Sequence, residues 1–167
     1  GDWSFQVGEQ AKQANALHGR LDIGPDWRKT SPKALQLDGV FWYRRTLEIP
    51  EAWVGQSLRL ETGPADDFDV MYVNGYKVGG MGEETAQWWA KPRVYEVPAE
   101  AVTNPLHIAI RVFDRYSNGG LTGDPQQYRI VNPSTGRSIP TAGLWRVHVG
   151  KAMDVAVSHH DAHQDPG

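Results

Sequence analysis

Residues 39–50 alternate between apolar and polar side chains along the run Gly-Val-Phe-Trp-Tyr-Arg-Arg-Thr-Leu-Glu-Ile-Pro. Because successive side chains of a strand point to opposite faces, one face of this segment carries Phe41, Tyr43, Leu47 and Ile49. The other face carries Trp42, Arg44, Thr46 and Glu48. This alternation indicates a strand with one face in a hydrophobic core, and it limits the chain to folds that contain such a sheet.

A second segment, residues 70–79, predicts a β-hairpin. It reads Val-Met-Tyr-Val-Asn-Gly-Tyr-Lys-Val-Gly, and Asn-Gly is favoured in type I′ turns because both central residues need positive φ. Further alternating runs predict strands at 58–62, 93–97, 106–112, 128–131 and 144–149. With 18 Gly and 11 Pro, the chain is predicted to be an all-β, two-sheet antiparallel sandwich or jelly roll. At most one short helix is expected, at residues 9–17 near the N-terminus.

The length and charge of the chain limit its organisation and its partners. Its 167 residues predict a single sandwich domain over residues 1–156, followed by a disordered tail or linker at 157–167. The formal net charge of -3 provides no basic field for nucleic acid, and no apolar run is long enough to span a membrane. The absence of cysteine excludes thiol catalysis, disulfide bonds and thiolate metal sites.

The candidate binding residues lie in two loops that follow predicted strands. Two tryptophans come after the hairpin, where a flat indole face can stack on the C–H face of a sugar ring. The second loop, at 115–120, supplies polar side chains for the hydroxyl groups. The predicted ligand-binding residues are Trp88, Trp89, Arg115, Tyr116 and Asn118.

Two alternatives accompany this prediction. One ring of the Trp88–Trp89 pair could instead cap the end of the core, where Trp42, Trp53 and Trp145 are expected to pack. The ligand could also be an acidic sugar, because arginines on strands or strand ends can make bidentate contacts to a carboxylate. The arginines placed in this way are Arg93, Arg111 and Arg115.

Charged side chains also raise the question of a metal. Arg45 lies on the otherwise apolar face of its strand, so either a bulge turns it outward or a carboxylate meets it. The expected partner is an aspartate of the loop that holds Asp66, Asp67 and Asp69. The same aspartates could hold a structural calcium ion, but the ion pair is favoured. A metal cluster of His159, His160 and His163 in the tail would be weak and adventitious. No cofactor and no functional metal site are predicted.

Four segments, in order, resemble one group of sandwich modules: GVFWYRRTLEIPEAW, ADDFDVMYVNGYKVGG, PRVYEVP and NPLHIAIRVFDR. They look like the galactose-binding-like jelly roll that accompanies family 2 glycoside hydrolases, and most closely like the module embedded in bacterial sialate O-acetylesterases. The resemblance covers residues 22–123. The matching positions are Gly39, Trp42, Tyr43, Arg44, Arg45, Pro50, Asp66, Asp67, Asp69, Asn74, Gly75, Gly79, Arg93, Tyr95, Pro98, Asn104, Arg111, Asp114, Gly119 and Gly120.

The resemblance implies a non-catalytic carbohydrate-binding module that accompanies a secreted or periplasmic glycan-degrading or sugar-deacetylating hydrolase. Its implied partners are a carbohydrate and a neighbouring catalytic domain. The parent esterases carry a nucleophilic Ser in a Gly-Asp-Ser setting and a late Asp-x-x-His, which neither Gly1-Asp2-Trp3-Ser4 nor Asp161-Ala162-His163 reproduces. Two alternatives stay open, namely a structural sandwich that braces a catalytic domain and a sialate O-acetylesterase-type hydrolase that acts itself.

Overall fold

The computed structural model describes residues 18–23, 39–115 and 120–152, with the backbone alone described for 18–23 and 149–152. These residues form twelve strands: β1 His18–Ile23, β2 Gly39–Leu47, β3 Leu58–Thr62, β4 Ala65–Asp66, β5 Phe68–Val73, β6 Tyr76–Met81, β7 Arg93–Val97, β8 Leu106–Asp114, β9 Gly120–Leu121, β10 Arg129–Asn132, β11 Arg137–Pro140 and β12 Gly143–Ala152. Between them lie single-turn 3-10 helices at Glu51–Trp53, Trp88–Ala90, Ala99–Ala101 and Pro125–Gln127. The helix expected at 9–17 and the tail expected from residue 157 lie outside the described residues.

The strands form two main sheets in which every pairing is antiparallel. The larger sheet has the order β1-β12-β2-β8-β5-β6, and the smaller has the order β11-β10-β3-β7. The short strands β4 and β9 form a separate pair. The predicted all-β antiparallel sandwich is thereby confirmed. Within the described ranges, no helix is long and apolar enough to cross a membrane.

The hydrophobic core lies between the inner faces of the two sheets. From the larger sheet, β2 contributes Phe41, Tyr43 and Leu47, which are the positions that its alternation predicts. The smaller sheet contributes Leu58, Leu60, Val97 and Ile130. Burial of these large apolar side chains on both sheets is the main term that holds the sandwich together.

The expected packing of the tryptophans holds for two of the three. Trp53 and Trp145 are buried in the core, and the indole Nε1 of Trp145 donates to the carbonyl oxygen of Thr141 at 2.8 Å. Trp42, in contrast, is half-buried on the opposite face of β2, outside the core. This outer face of the larger sheet therefore carries a large aromatic side chain that the core does not use.

The β5–β6 hairpin turns at Asn74 and Gly75, as predicted. Their φ angles of 46° and 81° are both positive. The Asn74 side chain also donates from Nδ2 to the carbonyl oxygen of Ala101 at 2.7 Å and accepts from the backbone N–H of His107 at 2.9 Å. Asn is thus suited to this turn both by its backbone conformation and by the bonds that tie the turn to β8.

Candidate ligand-binding site

The 3-10 turn Trp88–Ala90 follows β6 and places two indole rings at one end of the larger sheet. Trp88 is half-buried, and its ring centroid lies 5.6 Å from that of Phe68 on β5. Phe68 lies in turn 6.1 Å from Phe113 of β8. Trp88 therefore has a packing role, but it packs on an aromatic row outside the core and not on the core itself.

Trp89 differs from its neighbour because it is exposed. The two rings meet nearly at right angles, with centroids 4.8 Å apart and an interplanar angle of 88°. Trp89 keeps 48% of its surface accessible, one of the largest exposures of any apolar side chain that the structure describes. The pair thus divides into an anchor, Trp88, and an exposed aromatic surface, Trp89.

Arg115 reaches the same aromatic row from the end of β8. Its guanidinium carbon lies 4.6 Å from the centroid of the Phe68 ring, a cation–π geometry. Its backbone N–H donates to the carboxylate of Asp67 at 2.9 Å, and its side chain forms an ion pair with Glu83. Of the predicted ligand-binding residues, Trp88 and Arg115 therefore both contact Phe68, and Trp89 joins them through its contact with Trp88.

The other two predicted residues, Tyr116 and Asn118, lie outside the described residues. Phe68 and Glu83 were not predicted as members of the site. Phe68 has the outward parity of β5, which the alternation of Phe68–Val73 shows, and this signal could have identified it. Glu83 lies in a loop without periodicity, and no sequence signal points to it.

Arg93 lies inside the sandwich, beneath the turn that carries Trp88 and Trp89. It is fully buried, and its guanidinium bonds the carboxylate of Asp69 at 2.6 Å and the carbonyl oxygen of Ala65 at 2.8 Å. Its NH1 group also donates to the carbonyl oxygens of Trp88, at 2.5 Å, and of Lys91. The alternative in which Arg93 binds an acidic sugar is wrong, because its side chain is fully buried and bonded within the scaffold.

Asp69 completes the buried cluster with Tyr95. Burial raises the pKa of the Asp69 carboxyl above its usual value, and the adjacent Arg93 offsets part of that rise. Burial likewise raises the pKa of Tyr95, so its hydroxyl stays protonated and donates to Asp69 at 3.0 Å. Every member of the Arg93–Asp69–Tyr95 cluster therefore has a hydrogen-bond partner, as a buried polar group requires.

The predicted partner of Arg45 is wrong. Its NH1 group donates to the carbonyl oxygens of Ala142 at 2.7 Å and Leu144 at 3.3 Å, where the chain enters β12. Backbone carbonyls, and not an aspartate of the 66–69 loop, thus satisfy these donors on the inward side of β2.

The register of the larger sheet explains this outcome. Arg45 lies opposite Ile108 of β8, and Ile108 lies opposite Val73 of β5. Asp69 is on the same strand as Val73 but four residues earlier, which is roughly 13 Å at the usual rise of a strand. Asp66 and Asp67 precede it, so the aspartates meet Arg93 and Arg115 at the other end of the sheet.

These contacts also bear on the calcium alternative. Asp69 is bonded to Arg93 and Tyr95, and Asp67 is bonded to Arg115. Across the described ranges, no group of three or more His, Asp or Glu side chains is placed to hold a metal ion. The histidines of the tail, His159, His160 and His163, lie outside those ranges.

Comparisons with known proteins give a limited result. No family model matches the chain, and no curated protein matches it. Similar solved structures include the β-glucuronidase of Lactobacillus rhamnosus, with 18% identity and a TM-score of 0.41, and that of Ruminococcus gnavus, with 13% identity and a TM-score of 0.42. Each match covers 68% of this chain and 20% of the other, so the chain spans about a fifth of the length of these structures.

Proposed function

We propose that this chain is a carbohydrate-binding module in which Trp89 is the stacking platform. The observation that carries the proposal is an exposed indole ring at one end of an aromatic row, Trp89–Trp88–Phe68, whose other end meets the charged pair Arg115–Glu83. A pyranose ring presents both a C–H face and hydroxyl groups, so its recognition uses an aromatic surface and polar partners. Trp89 supplies the first of these, and Arg115 with Glu83 supplies the second.

The polar partners are accessible to a ligand. The side chain of Glu83 keeps 61% of its surface accessible, and that of Arg115 keeps 28%. A guanidinium offers several donors and a carboxylate accepts from hydroxyl groups, which together match the alternating donors and acceptors of a sugar. Sugar hydroxyls would join the existing Arg115–Glu83 pair without burying an uncompensated charge.

The platform is also held in place before any ligand arrives. Arg93 bonds the carbonyl oxygens of Trp88 and Lys91, which flank the turn that carries Trp89. Trp88 is in turn packed against Phe68. Preorganisation of this kind lowers the ordering cost of binding, which suits a small ligand with few contacts.

The wider role of the module follows from the resemblance to galactose-binding-like sandwiches. We propose that it is non-catalytic and accompanies an exported glycan-degrading or sugar-deacetylating hydrolase, with a catalytic domain as its neighbour. This places it in a secreted or periplasmic setting. Binding needs no cofactor and no metal in this proposal, since stacking and hydrogen bonding supply the recognition.

Isothermal titration of the protein against a panel of neutral and acetylated sugars tests the proposal. Trp89→Ala should weaken the binding of any ligand found by more than about tenfold, as expected for a central aromatic contact. Tyr76→Ala is the matched control, because Tyr76 is 47% exposed but lies at the opposite end of the β5–β6 hairpin. The assignment of the site to Trp89 is wrong if Trp89→Ala and Tyr76→Ala weaken binding equally.

Failure of every sugar to bind would favour the structural alternative, in which the sandwich braces a neighbouring catalytic domain. In that case Trp89 would lie in an interface between domains. Its fluorescence should then change when the parent protein is compared with the isolated chain, whereas the sugar panel should leave it unchanged.

A further inference from the structure

The outer face of the larger sheet carries a groove with a volume of about 730 Å³. We call it the outer groove, and its lining includes Trp42, Thr46, Tyr72, His107, Ala109 and Leu144. These residues belong to four neighbouring strands, β12, β2, β8 and β5. Three spacings between adjacent strands give the groove a length of roughly 14 Å across the sheet. It is therefore long enough for a chain of linked rings.

A small side chain forms the floor of the outer groove. Ala109 of β8 lies opposite Arg44 of β2 on one side and opposite Tyr72 of β5 on the other, so all three project from the same face. The methyl group of Ala109 between two large side chains leaves a trough. At the β5–β6 turn, Gly75 lines the groove without a side chain and has open space beside it. The trough is thus open at that end to a ligand that extends beyond it.

Aromatic rings form one wall of the groove. The ring centroids of Trp42 and Tyr72 lie 6.0 Å apart, with an angle of 34° between the planes. Both side chains are half-buried, so each ring keeps part of its surface accessible. Leu144 of β12, which is 56% exposed, extends the apolar surface toward the other end of the groove. These side chains supply the flat and apolar surfaces on which the C–H face of a sugar ring stacks.

Polar groups beside these rings are available to a ligand. Within the described part of the chain, neither the indole N–H of Trp42 nor the hydroxyl of Tyr72 bonds another residue, and neither polar atom is buried. Thr46 and His107 are both exposed, and a hydrogen bond of 3.0 Å joins Oγ1 of the first to Nδ1 of the second. That bond leaves Nε2 of His107 for a further partner. The groove can therefore bond hydroxyl groups without breaking a bond of the scaffold.

This mixture favours a sugar chain over a protein as the ligand. Protein interfaces are marked by contiguous apolar patches, whereas the rings in this groove are interrupted by Thr46, His107 and three arginines. Addition of a peptide as an extra strand needs a sheet edge. The groove instead crosses β12, β2, β8 and β5, each of which is already paired on both sides within the larger sheet.

We infer that the outer groove binds a neutral oligosaccharide that lies across the four strands, with one sugar ring against Trp42 and Tyr72. The indole N–H, the Tyr72 hydroxyl and the Thr46–His107 pair bond its hydroxyl groups. All of these groups are uncharged when His107 is neutral, so recognition needs no charge on the sugar. The site does not depend on the Trp89 platform, because Phe68 and Tyr72 are four residues, or roughly 13 Å, apart on β5.

Titration with cellotetraose, xylotetraose and mannotetraose, each beside its own monosaccharide, tests the inference by calorimetry and by amide NMR shifts. At least one tetrasaccharide should bind and should perturb residues 42–46, 72–75, 107–109 and 144–146. It should bind about tenfold or more tighter than its monosaccharide, because each further ring in the groove adds contacts.

Two variants separate the contributions of the ring and of the polar group. Trp42→Ala should weaken tetrasaccharide binding by more than about tenfold, as expected for a central aromatic contact. Tyr72→Phe keeps the ring and removes the hydroxyl, so it should weaken binding by about three- to tenfold. Val94→Ala is the control, because Val94 is 57% exposed on β7 of the smaller sheet, and it should leave binding unchanged.

Three results would overturn the inference. No tetrasaccharide could bind, a monosaccharide could bind as tightly as its tetrasaccharide, or the shifts could fall only outside the groove residues. Shifts confined to residues 83–91 would refute the groove and leave the Trp89 platform in place, whereas groove shifts that persist in Trp89→Ala would establish a separate site. The shift mapping uses the wild-type protein, so it remains decisive if Trp42→Ala fails to fold.

Discussion

Arg93 and the Arg44–Arg146 pair show how differently the same side chain is used in one sandwich. Arg93 is fully buried between the sheets and is bonded to Asp69 and to three backbone carbonyls. Arg44 and Arg146 lie opposite each other in the register of β2 with β12, on the outer face of the larger sheet. The first arrangement stabilises the interior of the scaffold, whereas the second lies on the outer face of a sheet.

The difference has a physical origin in burial. A charge inside the core is tolerated only when it is paired and hydrogen-bonded, so the scaffold must supply every partner of Arg93. A charge on an open face keeps part of its hydration, so it imposes no such demand. Arg44 and Arg93 both match the pattern of the family that the chain resembles, yet only their surroundings reveal which is structural.

Of the changes that test this contrast, replacing Arg93 should lower the unfolding free energy the most. Arg93→Ala leaves Asp69 buried without its cation and frees the carbonyls beneath the Trp88 turn, so it should cost about 3–5 kcal/mol of unfolding free energy. Urea denaturation measures the loss. Arg137→Ala on the exposed strand β11 serves as the control and should stay within about 0.5 kcal/mol of the wild type. A loss below about 1 kcal/mol for Arg93→Ala would contradict the assigned role.

A methyl group added beside the buried Arg93–Asp69–Tyr95 cluster should lower the unfolding free energy by an intermediate amount. A Cβ at Gly79 would lie 2.3 Å from Cδ1 of Tyr95, so Gly79→Ala must displace the ring that bonds Asp69. The expected cost is about 1–3 kcal/mol, typical of overpacking.

The matched change on the outer face of the larger sheet is Ala109→Val, which enlarges a side chain in the groove that Trp42 and Tyr72 also line. It should change the unfolding free energy by less than about 0.5 kcal/mol, because the groove has room for it. Thermal denaturation measures both variants. If Gly79→Ala and Ala109→Val lost equal amounts of unfolding free energy, the distinction between the close-packed cluster and the groove would be wrong.

The smallest effect on stability is expected for Arg146→Gln. Arg146 is exposed and lies opposite another arginine, so the change should leave the unfolding free energy within about 0.5 kcal/mol of the wild type. Chemical denaturation at low and high salt provides the measurement. A loss as large as that of Arg93→Ala would show that Arg146 also belongs to the scaffold.

Local patterns in the sequence predicted most of the larger sheet. The alternation around Tyr43 predicted β2 and its inner face, and the Asn74-Gly75 pair predicted the β5–β6 turn, because both signals act over a few residues. The edge strands β1 and β11 were missed. Their segments are short and rich in charged or polar residues, as edge strands commonly are, and therefore lack the apolar alternation that identifies a strand.

The candidate site was predicted only in part. Flat aromatic residues in a loop after a strand pointed to Trp88 and Trp89, and the loop after β8 pointed to Arg115. Neither pattern could reveal that Phe68 joins them or that Trp88 is the anchor and Trp89 the exposed ring. Those roles depend on which side of the turn faces the sheet, and that is set by the contacts of Arg93 with the Trp88 and Lys91 carbonyls.

Side-chain alternation and turn chemistry alone determined that this chain is an antiparallel sandwich with an inward and an outward face on β2. They did not determine which arginine meets which carboxylate. Arg45 was paired with the wrong partner because its actual acceptors, in residues 142–144, lie nearly a hundred positions away and reach it only through the register of β2 with β12. The same register sets Arg44 against Arg146, a pairing across about a hundred residues that only the tertiary structure decides.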